Sequence, residues 1–267
     1  MLYRLISTSQ ANLKAPAEYN NRTSNPTSLV VGLLPSKIES FNALNASDVT
    51  INILDSAADG FAEIPGIYNE LRSRAKKLHD QYGGKVDLIV HLGRGPWDHA
   101  TVERRAFRQD MTCGWATKEA EKGYYVNLDN DDKSAHDLGP NPWMDVPMGL
   151  NTALDVDAVV SVANASLSKH GAGRSSSKVV QVLPHFEAGN LGCGFMYYES
   201  LAHCYANGRK RDVLFCHIPR GVEDEDLQRA RDAIVSVIGS GIKWLIERDE
   251  GKYSEQDISA RLKASES

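Results

Sequence analysis

The chain lacks most of the features that would assign it to a class outright. It contains no run of about 18 apolar residues, so no membrane-spanning helix is expected. Its opening stretch, Met1-Leu2-Tyr3-Arg4-Leu5-Ile6, is too short for a secretory signal, and a cytoplasmic address is expected. Cysteine is scarce: Cys113, Cys193, Cys204 and Cys216 make up all four in 267 residues. They form no CxxC pair and no regular spacing, which argues against a disulfide framework and against a zinc ligand set. Positive charge is not in excess. The formal net charge is −5, so nucleic acid is not the expected partner. No internal repeat is visible.

What is present is ordinary for a soluble globular protein: 42% hydrophobic and 24% charged residues, in a chain long enough to bury a sizeable core. Residues 1 to 28 read as irregular apart from a short strand at Tyr3 to Ser7, and Leu29 to Leu34 as a short helix stopped by Pro35. Val49 to Leu54 alternates as a strand does. Ile64, Ile67, Leu71, Ala75 and Leu78 recur at helical spacing before Gly83-Gly84. Val86 to Leu92 is an unbroken apolar run, as in a buried parallel strand. Residues 94 to 150, with four prolines and the acidic patch Asp129-Asn130-Asp131-Asp132, read as a long turn-rich insertion. After it come a helix over 155 to 169, a flexible Gly171–Ser177 loop, a strand at Val179 to Leu183, a helix over Gly194 to Tyr205, a strand at Asp212 to Ile218 and a helix over 223 to 248. This alternation predicts an α/β fold: one domain over residues 1 to 250, a three-layer α/β/α sandwich with a mostly parallel sheet. Residues 251 to 267 read as a charged, frayed tail.

Two segments carry chemistry. In Glu187-Ala188-Gly189-Asn190-Leu191-Gly192-Cys193-Gly194, a thiol sits among glycines at the start of a helical pattern. Helix N-terminal N–H groups and the helix dipole favour a thiolate there, and the same N–H groups can hold an oxyanion. In Val213-Leu214-Phe215-Cys216-His217-Ile218-Pro219, an imidazole ends an apolar strand, where ligands of α/β sheets bind. Taken singly, Cys193 is a small hydrophobe and His217 a core histidine. Together they make a nucleophile and its base. His185 and His91 compete for the base role, because both flank strands. Glu103, in Thr101-Val102-Glu103-Arg104-Arg105, is the candidate to orient the imidazole, though alone it reads as a surface ion pair.

These segments resemble the pyroglutamyl-peptidase I (pyrrolidone-carboxylate peptidase) family, especially its fungal-type members. Glu187 to Cys193 is similar to the family's Ser-x-Asp-Ala-Gly-x-Tyr-x-Cys pattern. Phe215-Cys216-His217-Ile218-Pro219 is similar to its Phe-x-His-x-Pro motif, 24 residues beyond the cysteine. Val90-His91-Leu92-Gly93 followed by Val102-Glu103-Arg104 resembles its strand-loop-glutamate motif. The resemblance spans roughly residues 21 to 248. It implies a catalytic set of Cys193, His217 and Glu103, a peptide substrate with an N-terminal pyroglutamyl residue, and no metal or organic cofactor. One departure is large. Where the family has a Gly-Phe-Gly-Pro-Phe turn that helps hold the pyroglutamyl ring, this chain reads Ser9-Gln10-Ala11-Asn12-Leu13-Lys14-Ala15-Pro16. The smaller departures are Glu187 for Asp and Gly192 before the cysteine. The kept order Glu103, Cys193, His217 favours an active omega-peptidase. The missing turn favours a catalytically weak or silent relative that binds a peptide or partner, or a cysteine amidase of different specificity.

Overall fold

The structure is a computed structural model, and it describes residues 2–9, 25–38, 50–54, 64–111, 123–171 and 180–263. Cys113, the Gln10–Pro16 segment that replaces the aromatic turn, and most of the Gly171–Ser177 loop lie outside the described residues. Eight strands form one sheet: β1 (Leu2–Ser9), β2 (Lys37–Ile38), β3 (Thr50–Leu54), β4 (Leu88–Arg94), β5 (Ala100–Phe107), β6 (Gly149–Asn151), β7 (Val182–Glu187) and β8 (Val213–Ile218). Their order is β2-β3-β1-β4-β8-β5-β6, with β7 also paired to β5. β3, β1, β4 and β8 run parallel to one another; β5 is antiparallel to β8 and parallel to β7.

Helices cover both faces. On one side lie α1 (Pro26–Leu33), α3 (Val156–Gly171) and α5 (Asp224–Asp249), packed over Leu88, Val90, Leu92, Leu214, Cys216 and Ile218. On the other lie α2 (Tyr68–Tyr82) and α4 (Gly192–Ala206), over Ile89, Val213 and Phe215. Strands buried on both faces favour apolar residues on both, which is why β4 and β8 are mostly apolar, with His91 and His217 the buried exceptions. The expected three-layer sandwich is therefore present, and its sheet is mixed but mostly parallel.

Several boundaries differ from the sequence expectation, each for a physical reason. The strand expected at Tyr3 to Ser7 is present as β1, while the stretch read as irregular up to residue 28 contains the start of α1. Asn25 accepts the Thr27 N–H at 3.1 Å and Pro26 occupies the first helical turn, so a polar, proline-containing segment opens a helix. β7 runs on past the expected Leu183. Pro184 does not stop it, because β7 pairs on one side only, with β5. The tail beyond Gly251 is helical over Glu255–Lys263 (α6).

The largest correction falls on the 94 to 150 insertion, which holds two strands and a 3₁₀ turn at Ala135–Leu138. Its irregular parts are pinned by buried polar groups. The Arg108 guanidinium donates to the carbonyls of Trp143, Met144 and Val146 at 2.8, 3.1 and 2.7 Å. Asp129, read as part of an acidic patch, is buried and accepts the Tyr68 N–H at 2.9 Å, capping α2 from another part of the chain. Glu199 on α4 accepts from Trp143 Nε1 at 2.8 Å and from Arg72 Nε at 2.9 Å.

Besides His217, three histidines are buried among the described residues: His79, His91 and His203. Burial disfavours their charged forms, pushing His91 down to about 3 and His203 down to about 4, with His79 also well below its usual value. The unfolded chain, titrating near 6.5, binds more protons than the native state between these limits. Stability is therefore lost as pH falls below about 6.5. The urea midpoint should drop between about pH 7 and about pH 4, and His91→Gln should flatten that drop. An equally steep drop in the variant would show that His91 takes up its proton while folded.

Candidate active site

Sheet register assembles the site. His217, near the end of β8, has Gly93 of β4 as its neighbour on one side and Thr101 of β5 on the other. Side chains two apart on a strand share a face, so Glu103 stands beside Thr101 and reaches back to His217. Its direct partner across β7 is His185. α4 then brings in the thiol. Leu191 is its N-cap, and Cys193 lies in its first turn. Tyr197, one turn further on, ties the helix to the sheet by donating to the Glu103 backbone carbonyl at 3.2 Å.

Cys193, His217 and Glu103, chosen from sequence, are brought together. The Cys193 sulfur and the His217 ring meet over Gly93 and interact electrostatically. His217 Nδ1 lies 2.8 Å from Glu103 Oε1. Glu103 is fully buried, His217 is nearly so, and Cys193 keeps partial exposure. The expectation that Glu103 taken alone is a surface ion pair is corrected. Its strand is flanked on both sides, and its charge is answered from within. Thr101 Oγ1 donates to Oε1 at 2.5 Å, and His185 Nδ1 lies 2.6 Å from Oε2.

The electrostatics follow from this chain of contacts. Burial works to lower His217, but the Cys193 sulfur on one side and the Glu103 carboxylate on the other outweigh it, and the imidazole is carried up to about 10. Burial works to raise Glu103, but the hydrogen bonds from His185 and His217 hold it below its usual value. The Cys193 sulfur and the Glu103 carboxylate thus both favour a proton on the His217 ring. The two competing histidines part company here. His91 is a neutral core residue on β4 whose ring lies 6.2 Å from Phe215. His185 is half-exposed and bonds to Glu103, not to the thiol.

Two glycines are demanded by geometry. Gly189, with φ +81°, turns the chain between β7 and α4 in the left-handed region, where a Cβ is strained. A Cβ on Gly194 would lie 1.9 Å from the Gly189 carbonyl oxygen, so the turn closes only with glycine there. Leu191 supplies no side-chain cap. The N–H groups of the first turn around Cys193 are thus available to a negatively charged oxygen. At Gly93 a Cβ would lie 2.8 Å from Cys193 Sγ and 3.0 Å from His217 Cδ2.

Sequence reasoning missed Thr101 and Trp97. The signal for Thr101 was its position two residues before Glu103 in what proved to be a strand. The Trp97 ring, on the connection between β4 and β5, stands 4.9 Å from the His185 ring and 6.0 Å, edge-on, from the His217 ring. No local pattern announces that placement.

No protein-family model matches the chain, and no curated protein sequence does. Solved structures do. Pyrrolidone carboxyl peptidase from Thermococcus litoralis superposes with a TM-score of 0.60 at 15% identity, over 92% of this chain and 96% of its own. A mutant pyrrolidone carboxyl peptidase from P. furiosus gives 0.59 at 15%, over 90% and 98%. A further structure of the enzyme from the hyperthermophile Pyrococcus furiosus gives 0.58 at 15%, over 91% and 99%. The chain has the fold of these peptidases. Among the described residues, no helix is long and apolar enough to cross a membrane.

The three described thiols should differ in reactivity. Burial raises Cys204 to about 12 and pushes Cys216 higher still. Brief iodoacetamide treatment should label Cys193 well ahead of both, as read by peptide mass spectrometry; equal labelling would remove the case for an activated thiol. Gly93→Ala should slow the Cys193 reaction about tenfold by displacing the thiol from the ring, with little change in melting temperature. Unchanged labelling in that variant would show that the thiol does not need this seat.

Proposed function

We propose that the chain is a cysteine omega-peptidase that hydrolyses an N-terminal pyroglutamyl residue from peptides, with Cys193 as nucleophile, His217 as acid and base, and Glu103 as the group that orients the ring. The observation that carries the reading is the continuous contact Cys193–His217–Glu103 at the end of β8. The pyrrolidone carboxyl peptidase fold and the sequence motifs support it.

The chemistry follows from the geometry. The Cys193 sulfur attacks the acyl carbon, and the carbonyl oxygen takes the negative charge toward the first-turn N–H groups of α4. His217 gives its proton to the leaving amine as the C–N bond breaks, leaving a thioester. Water then attacks the thioester. His217 removes its proton and keeps it as the C–S bond breaks and pyroglutamate leaves, so the ring again carries the proton with which the cycle began. Glu103 does not change protonation state; its hydrogen bond fixes which ring nitrogen faces the thiol and stabilises the imidazolium. The substrate is a small peptide, and no step requires a metal or an organic cofactor. A cytoplasmic setting, where thiols stay reduced, suits this chemistry.

The missing Gly-Phe-Gly-Pro-Phe turn bears on substrate rather than on chemistry. An aromatic wall commonly contributes about 2 kcal/mol of burial, part of which positions the acyl group, so turnover falls along with affinity. A fluorogenic pyroglutamyl amide should therefore be hydrolysed slowly by the unmodified chain. Cys193→Ala should abolish that hydrolysis, and Glu103→Gln should lower kcat by about 100-fold or more. Turnover that survives Cys193→Ala would refute the reading. No turnover, with Cys193 still alkylated in a His217-dependent way, would assign the same machinery to an acyl group other than pyroglutamyl.

A further inference from the structure

We propose that His185 is a positioning residue: a second imidazole that shares the Glu103 carboxylate with His217 and sets how firmly that carboxylate holds the His217 ring. This rests on the reading of Cys193 and His217 as nucleophile and base, and adds to it a residue that touches neither the sulfur nor the His217 ring.

The geometry divides the carboxylate cleanly. Oε1 takes His217 Nδ1 and the Thr101 hydroxyl. Oε2 takes His185 Nδ1 at 2.6 Å. The arrangement is built into the sheet, since Glu103 and His185 are cross-strand partners of β5 and β7. His185 Nδ1 also lies 2.8 Å from the Glu187 backbone carbonyl. Both of its neighbours are acceptors only. Nδ1 must therefore carry hydrogen whether the ring is neutral or charged, and the nitrogen that gains and loses a proton is Nε2. The hydrogen bond to Glu103 survives the titration, and only the charge behind it changes.

That change is open to solvent. The His185 side chain is 39% exposed, whereas Glu103 is fully buried and His217 nearly so. The groups facing it are Glu103 and Thr101 from β5, His217 from β8 with Cys193 of α4 behind it, the Glu187 carbonyl on its own strand, and the Trp97 ring, on which His99 stacks. Glu103 holds the His185 proton above its usual value, against burial and the charge on His217. With His185 charged, two imidazoles compete for one carboxylate, and the like charge opposes a proton on His217. As pH rises and His185 becomes neutral, the full carboxylate charge serves His217, and the imidazolium that faces the thiol is held more strongly. His185 is thus the solvent-facing end of a chain that runs inward through Glu103 to the sulfur.

Two substitutions separate the effects. His185→Asn can keep a donor near the Nδ1 position but cannot titrate. His185→Phe keeps a flat ring against Trp97 and removes the donor. The first readout is the rate of Cys193 alkylation by iodoacetamide across pH, which needs no substrate. The second is kcat and KM on the pyroglutamyl amide. The wild-type alkylation profile should contain an ionisation above about pH 6.5, in addition to that of the thiol–imidazole pair, and both variants should lack it. His185→Phe should lower kcat about tenfold with KM nearly unchanged, and His185→Asn should restore most of it. Profiles in both variants that match the wild type would overturn the proposal. So would an Asn variant as slow as the Phe variant. If the unmodified protein does not turn over the amide, the substrate assignment fails, and the alkylation profiles alone decide the role of His185.

Discussion

A carboxylate buried in a β-sheet must be answered by hydrogen-bond donors, because the desolvation of an isolated charge costs several kcal/mol. Glu103 draws its donors from three strands: Thr101 on β5 itself, His217 on β8 and His185 on β7. This requirement fixes much around it. β5 must run antiparallel to β8 for Thr101 to stand opposite His217, and must pair with β7 in the register that sets Glu103 against His185. β4 carries glycine at position 93, where it passes His217, because a Cβ there would press on both the ring and the thiol. Removing the charge would leave three donors around a neutral group. Removing any one donor would leave part of a buried anion unanswered.

The parts of the fold legible in the sequence were those whose burial is uniform. β4 and β8 are enclosed by helices on both faces, so their composition alone marks them. α2 and α5 carry one apolar face and one charged face, so their period marks them. β5 was hidden for the opposite reason. Ala100-Thr101-Val102-Glu103-Arg104-Arg105 looks solvated because Arg104 pairs with Asp157 at the surface and Arg105 lies over the Phe107 and exposed Phe186 rings, while Glu103 between them is buried among the site's donors. Local pattern reports solvent exposure, and it fails where a buried polar group is satisfied by residues distant in sequence.

The same limit explains what was visible of the site. Cys193 stood out because glycine-flanked thiols at a helix start have a local cause. His217 stood out because a polar residue closes an apolar strand. His185 was noticed but could not be given a role, because the role lies in the cross-strand register and not in its own segment. Trp97 carried no signal at all. Its position depends on how the β4–β5 connection folds over the end of β8, where its backbone carbonyl also accepts the Arg220 N–H at 2.8 Å.

Chemistry and recognition thus rest on different parts of the chain. The thiol, imidazole and carboxylate are fixed by strand register and by the start of α4. Once the sheet forms they have little freedom to move apart. The aromatic neighbour beside them comes from a connection, the β4–β5 segment with Trp97. A connection can change its aromatic residues without disturbing a single cross-strand pair. Loss of the N-terminal turn pattern is therefore compatible with an undisturbed Cys193–His217–Glu103 chain. Trp97 is an aromatic residue of this kind: its ring lies against both His185 and His217, yet it belongs to a connection and to no cross-strand pair.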